Sequence, residues 1–391
     1  MTPPVLTATP YHQQMVDYLQ QEEAKLWAWL NSETSFQSRL QSTRLSLLKS
    51  MVRLDRETHE RVYAAADQGV AALALDAPVT LYQSPLTGEG LNAALWYIPG
   101  EAHVTFQGPV MEALTDDELT ALLGHELAHY KLWQDNAHEY LIADRILHEL
   151  SVQPDVGPHH LRSNRIYQLY TETYADRGAY LAVNSVLPVI AMLVKVSTGL
   201  TKVNAEAYLA QANEIFQVEN PSTQGISHPE TYIRARAIWM WADQVADSEL
   251  NIAAMIKGEA RLERLDVLDQ ADIKTITFDL LYWLLSKPWM QTEATLAHAR
   301  FFGVTEMHSP ELDLGGLKQR FQALGHHFTD YWCYLILDFA SIETGSEDAP
   351  LIWCVHVADE LGLEDAFGAC LRKELKLTKK RIKQLRSTTQ A

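Results

Sequence analysis

Two histidines lie four positions apart in Leu123-Gly124-His125-Glu126-Leu127-Ala128-His129-Tyr130, with a glutamate directly after the first. On a helix four positions turn about 400°, so both imidazoles leave the same face. That spacing lets them hold one Zn2+, while Glu126, turned about 100° from His125, can reach a water at the metal as general base. Such a site needs a third ligand. Tyr170-Thr171-Glu172-Thr173-Tyr174-Ala175-Asp176-Arg177 offers Glu172 and Asp176, again four apart on one helical face. One carboxylate can complete the set, and the other can accept from the free N–H of a ligating imidazole and fix its tautomer.

These residues need elements to position them. Thr115-Asp116-Asp117-Glu118 reads as a capping box, which starts a helix running to about Trp133 and carrying both histidines. Ahead of it, residues 1–75 read as a helical layer from the spacing of Met15, Leu19, Leu26, Leu45 and Leu48. Strands are expected at 79–82, 94–98 and 102–106, with a Pro99-Gly100 turn between the last two, forming a small antiparallel sheet. Helices follow at about 142–150, 164–183, 186–200, 202–216 and 230–245, with Pro154 to His160 as a connector. From 246 to 391 the pattern remains helical. The expected fold class is therefore mostly α with a small antiparallel sheet, followed by an all-α accessory domain. His228 precedes Pro229, which holds it extended at the first turn of the helix it leads.

Together these residues resemble the zinc metallopeptidases of the HtpX and CAAX-prenyl-protease type, metallopeptidase family 48, within the gluzincins. The matching pieces are Asn92-Ala93, the strand pair, Asp116 to Leu119 leading into His125 to His129, Glu172 with Ala175-Asp176, and Ser227-His228-Pro229 followed by Arg234; they span about residues 75 to 240. The resemblance implies a zincin-like catalytic domain at 76–245 and one zinc ion held by His125, His129 and Glu172. It also implies Glu126 as base and acid, Asp176 as partner of a ligating histidine, His228 facing the cleft to stabilise the oxyanion, and Arg234 as a structural or electrostatic partner nearby. The implied activity is endopeptidase action on a polypeptide. Read from the residues themselves, the 102–106 strand can hold substrate by edge pairing. A zinc-binding regulatory protein and a zinc hydrolase of non-peptide amides are the competing readings. Within the accessory domain, Leu335 to Leu363, with the acidic turn Glu343 to Asp348, weakly resembles TerB-like helical domains.

Composition sets limits on partners. The chain has 391 residues and a formal charge of −18, so its body repels nucleic acid. Residues 371–386 reverse the trend, with eight Lys or Arg against Glu374, a net +7 that leaves the rest of the chain at −25. This basic amphipathic tail suits an anionic surface or the protein's own acidic face. No secretory signal and no transmembrane segment are readable, since the most apolar run, Val186 to Val194, is nine residues long and a span needs about 20. Three cysteines, Cys333, Cys354 and Cys370, form no disulfide framework and read as buried thiols of a cytoplasmic protein.

Overall fold

The computed structural model describes residues 5–85, 90–305, 313–342 and 348–388, without the side chains of 33–41. Two compact units emerge, Met1–Glu259 and Ala260–Ala391. The first contains the helices α1 (Pro10–Glu22), α2 (Ala24–Leu30) and α3 (Glu33–Ser50), strand β1 (Val52–Arg53), α4 (Glu60–Ala72), and strands β2 (Val79–Gln83), β3 (Asn92–Ile98) and β4 (Glu101–Gln107). It continues with α5 (Val110–Ala113), α6 (Asp116–Gln134), α7 (Glu139–Ser151), α8 (Pro158–Val183), α9 (Val186–Thr198), α10 (Ala205–Val218), α11 (Thr231–Ala242) and α12 (Ser248–Lys257).

Helix α6 forms because its start is chemically specified. The Thr115 hydroxyl accepts from the Glu118 amide at 3.4 Å, the Glu118 carboxylate accepts from the Thr115 amide at 2.8 Å, and three acids sit in the first turn. Every residue from Glu118 to Tyr130 is buried, as befits a helix walled by α4, α8, α9 and the sheet. Helix α8 opens on Pro158 behind Gly157 and closes on Asn184 in the left-handed conformation. It thus begins inside the stretch expected to be a connector.

The sheet order is β1-β2-β4-β3. It is mixed rather than antiparallel: β3 and β4 form a hairpin through Gly100 at φ +78°, whereas β2 pairs with β4 in parallel, Leu81 opposite Val104. The reason lies in which hairpin strand β2 selects. By lying beside β4 instead of its sequence neighbour β3, it runs in the same direction as its partner. Two expectations change as a result. β4 is an interior strand paired on both sides, so edge pairing along 102–106 is closed to a substrate, and the edges are β1 and β3. Residues 52–53, expected within the helical layer, add a short antiparallel strand against Gln83 and Tyr82.

The first unit extends past 245 to include α12, whose Ile252, Met255 and Ile256 are buried. The second unit, over its described residues, is helical: α13 (Val267–Leu284), α14 (Glu293–Phe301), α15 (Leu314–Leu324), α16 (Thr329–Ser341), α17 (Ala349–Glu360), α18 (Glu364–Glu374) and α19 (Lys379–Ser387). Its core includes Trp332, Phe339, Phe367 and the three cysteines, all free thiols. The basic tail belongs to it, with Ile382 and Leu385 buried in that core and Arg386 paired to Asp359 at 3.0 Å. Of the acidic turn 343–348, residues 343–347 lie outside the described residues. No helix among the described residues is long and apolar enough to cross a membrane.

Candidate metal centre

Three glycines from three helices meet at one place. A Cβ added to Gly124 on α6 would stand 2.5 Å from Ala182 Cβ and 3.1 Å from the Gly178 carbonyl oxygen on α8; one added to Gly178 would stand 2.2 Å from Ala128 Cβ. On the other side, a Cβ on Gly69 of α4 would touch Leu127 at 3.0 Å and Gly124 Cα at 3.6 Å. Small residues here let α6 and α8 cross backbone against backbone. That approach brings His125 and His129 against Glu172 and Asp176.

His125 Nε2 lies 3.3 Å from His129 Nε2 and 3.4 Å from Glu172 Oε2, and His129 Nε2 lies 3.5 Å from Glu172 Oε1. Donors placed about 2.0–2.1 Å from a centre at tetrahedral angles stand about 3.3–3.4 Å apart, so the two imidazole nitrogens stand at the spacing of one tetrahedral edge, and each faces a different oxygen of the Glu172 carboxylate. All three residues are buried, and together they could hold a metal ion. One further observation fits that occupant: Glu172 Oε2, a buried carboxylate oxygen, has no hydrogen-bond partner. His125 Nδ1 lies 3.0 Å from Asp176 Oδ1, which holds a proton on Nδ1 and orients Nε2 toward the other donors, where it would ligate an ion once deprotonated.

Arg234 of α11 donates to both Asp176 oxygens, Nε to Oδ2 at 2.8 Å and Nη2 to Oδ1 at 2.5 Å. This forked pair holds the acid that holds His125. His228, its side chain 58% exposed, points its Nε2 to within 3.4 Å of Glu172 Oε2. Glu126 is buried beside the set and accepts from the Leu95 amide of edge strand β3. Trp133, one turn after His129, lies against its ring at 5.7 Å and 33°. Tyr130 points into the core and is fully buried. Sequence reasoning did not find Leu95, whose contribution is a backbone amide and leaves no side-chain signal.

The electrostatics suit a cation. Burial opposes charge on both imidazoles, yet the carboxylates of Asp176 and Glu172 push His125 up to about 10, so without an ion it is protonated on both nitrogens and must give up the Nε2 proton to ligate one. Burial and the neighbouring positive charges push His129 down to about 4. One positive charge is thus accommodated among the donors. Burial alone would raise Glu172, but the positive charges of His125, His129 and Arg234 around it hold it well below the carboxylate range. Asp176 is held low by Arg234 and His125 against burial, and Arg234 is held firmly charged by Asp176. Burial pushes Glu126 up to about 7.

The adjacent histidines His159-His160 and His326-His327 set their rings against each other, tilted, at 4.3 and 4.0 Å, and among the described residues the metal-capable group is His125, His129 and Glu172. No protein-family model, no curated protein and no solved structure matches this chain.

Proposed function

We propose that the chain is a zinc-dependent endopeptidase. The observation that carries this reading is the buried cluster of His125, His129 and Glu172 donors with the Glu126 carboxylate beside it. Three protein donors leave a fourth position open, where a structural zinc site uses four. A zinc ion held there would supply a Lewis acid for a peptide carbonyl and lower the pKa of a water.

The chain's own groups do the rest. Glu126 takes the proton from the attacking water and delivers it to the leaving amine. Asp176 keeps the His125 ring oriented and Arg234 keeps Asp176 ionised and in place. His228, exposed to solvent and within 3.4 Å of Glu172, donates to the oxygen on which charge develops. The extended backbone of β3, whose Leu95 amide already meets Glu126, offers the edge along which a peptide adds as a further strand. Main-chain pairing of this kind selects weakly among sequences.

Zinc content and peptide cleavage, measured on the same preparations, test the reading. His125→Ala is expected to lose both. Glu126→Gln is expected to keep zinc and lose cleavage by at least about 10²-fold, on the scale of a lost general base. Full cleavage by Glu126→Gln would sink the assignment.

A further inference from the structure

We infer that Arg165 is a positioning residue for His228, acting through a clamp on the loop that joins α10 to α11. This rests on the peptidase reading for its kinetic consequence, but the clamp itself is geometric. Arg165 donates Nε to the Gly225 carbonyl and Nη2 to the Thr223 carbonyl, both at 2.7 Å. Two carbonyls two residues apart are gripped by one planar fork, which a lysine could not reproduce.

The clamped segment is tied down at other points. The Thr223 amide donates to the Met255 carbonyl at 2.8 Å, the Gly225 amide to the Thr223 hydroxyl at 3.1 Å, and the Gln224 amide to the Glu230 carboxylate at 2.9 Å. Hydrogen bonds from Thr223, Gln224 and Gly225 hold the Glu230 carboxyl below its usual range, overcoming partial burial. The chain then doubles back so tightly that a Cβ on Gly225 would lie 1.9 Å from the His228 carbonyl oxygen. Only glycine fits there, and the position of 225 therefore dictates that of 228. Beyond the clamp the tip is open: Ile226 is 82% exposed, and the Ser227 Oγ lies 2.9 Å from His228 Nδ1.

Helix α8 makes the clamp a ruler for the site. Arg165 precedes Glu172 by seven positions and Asp176 by eleven, about 700° and 1100°, each within about 20° of whole turns. One face of one helix therefore carries the loop clamp, the metal-capable carboxylate and the acid that orients His125. Because His228 meets Glu172 at 3.4 Å, fixing the loop to the same helix fixes the distance from His228 to the metal-capable group.

Zinc content, amide hydrogen exchange of the 219–230 loop, and peptide-cleavage kinetics should be measured for the full chain as wild type, Arg165→Gln, His228→Ala and the double variant. Arg165→Gln is expected to bind zinc one-to-one, to exchange faster at Gln224 and Gly225, and to lose kcat by about 10- to 100-fold. KM should change little. The double variant should be no slower than His228→Ala, because the clamp acts only through that side chain. Loss of zinc in Arg165→Gln, unchanged loop exchange, or losses that multiply in the double variant would each overturn the clamp. A wild-type chain that binds zinc and cleaves nothing counts against the peptidase reading instead, and loop exchange then decides the clamp by itself.

Discussion

Gly124 and Gly178 face each other where α6 crosses α8, so closely that each position excludes a methyl group. In an ordinary helix interior, replacing glycine by alanine gains about 1 kcal/mol. Here the added carbon of Gly178→Ala would meet Ala128 Cβ at 2.2 Å, a contact between two buried backbones with no flexible side-chain end to move aside. Overpacking of that sort costs about 1–3 kcal/mol, so the sign reverses.

The helices must part to admit the carbon, and their parting separates His125 and His129 from Glu172 and Asp176. Gly178→Ala is therefore expected to lower stability in urea by about 1–3 kcal/mol and to weaken zinc binding together with it. A stabilised variant with unchanged zinc affinity would show that the crossing does not set the donor spacing.

Asp176 should matter through orientation. Asp176→Asn keeps the size, so Arg234 retains one acceptor, but it removes the carboxylate from the His125 Nδ1 side. Partners of ligating histidines typically contribute 10- to 100-fold, so zinc affinity should fall by about that factor while the fold persists. Competition with a zinc indicator reads the affinity and circular dichroism reads the fold.

Metal binding to the folded chain alone should also stabilise it. At free zinc about 100-fold above Kd the gain is about 2.7 kcal/mol, lost when a chelator removes the ion. The thermal midpoint of the first unit should fall on chelation in the wild type and not in Glu172→Ala, which lacks one of the three donors. Equal shifts in both would place the bound ion elsewhere.

What the sequence made legible is whatever local spacing carries. The capping box, the two histidines on one face, and Glu172 and Asp176 a turn apart are all arrangements within single helices, and the structure places each of them so. Non-local choices were not readable. Whether β2 pairs with β3 or β4 depends on long-range packing, so the sheet was expected to be antiparallel and its middle strand was taken for its edge. The glycines at 124 and 178 gave a sign that is clear only once both helices are placed, because a glycine in a helix reads first as a weakness. Arg165 carried a signal in its seven-residue spacing from Glu172, but a loop carbonyl as its target has no sequence signature. Strand β3, expected at 94–98 and found at Asn92–Ile98, and the helices from Val267 onward show the same limit from the other side: local pattern located the elements, and contacts decided which unit or neighbour they joined.

A last expectation concerns pH and lies away from the donors. His12 of α1 is fully buried, with Nδ1 accepting from the Thr9 amide at 3.2 Å and lying 2.8 Å from the Thr9 hydroxyl, and with Nε2 3.1 Å from the Thr171 hydroxyl. These contacts suit the neutral ring with its proton on Nε2. Burial, helped by the charge of Arg177, pushes its pKa down to about 3 from an ordinary 6.5. Because the unfolded chain binds this proton more readily, its contribution is fully present above about pH 6.5 and is lost progressively as pH falls toward 3. By pH 5 the loss is about 2 kcal/mol. His12→Gln keeps a donor toward Thr171 without a titrating ring, so it should flatten the fall in urea stability between pH 6.5 and 5. An unchanged slope in that variant would show that other groups set the acid limit.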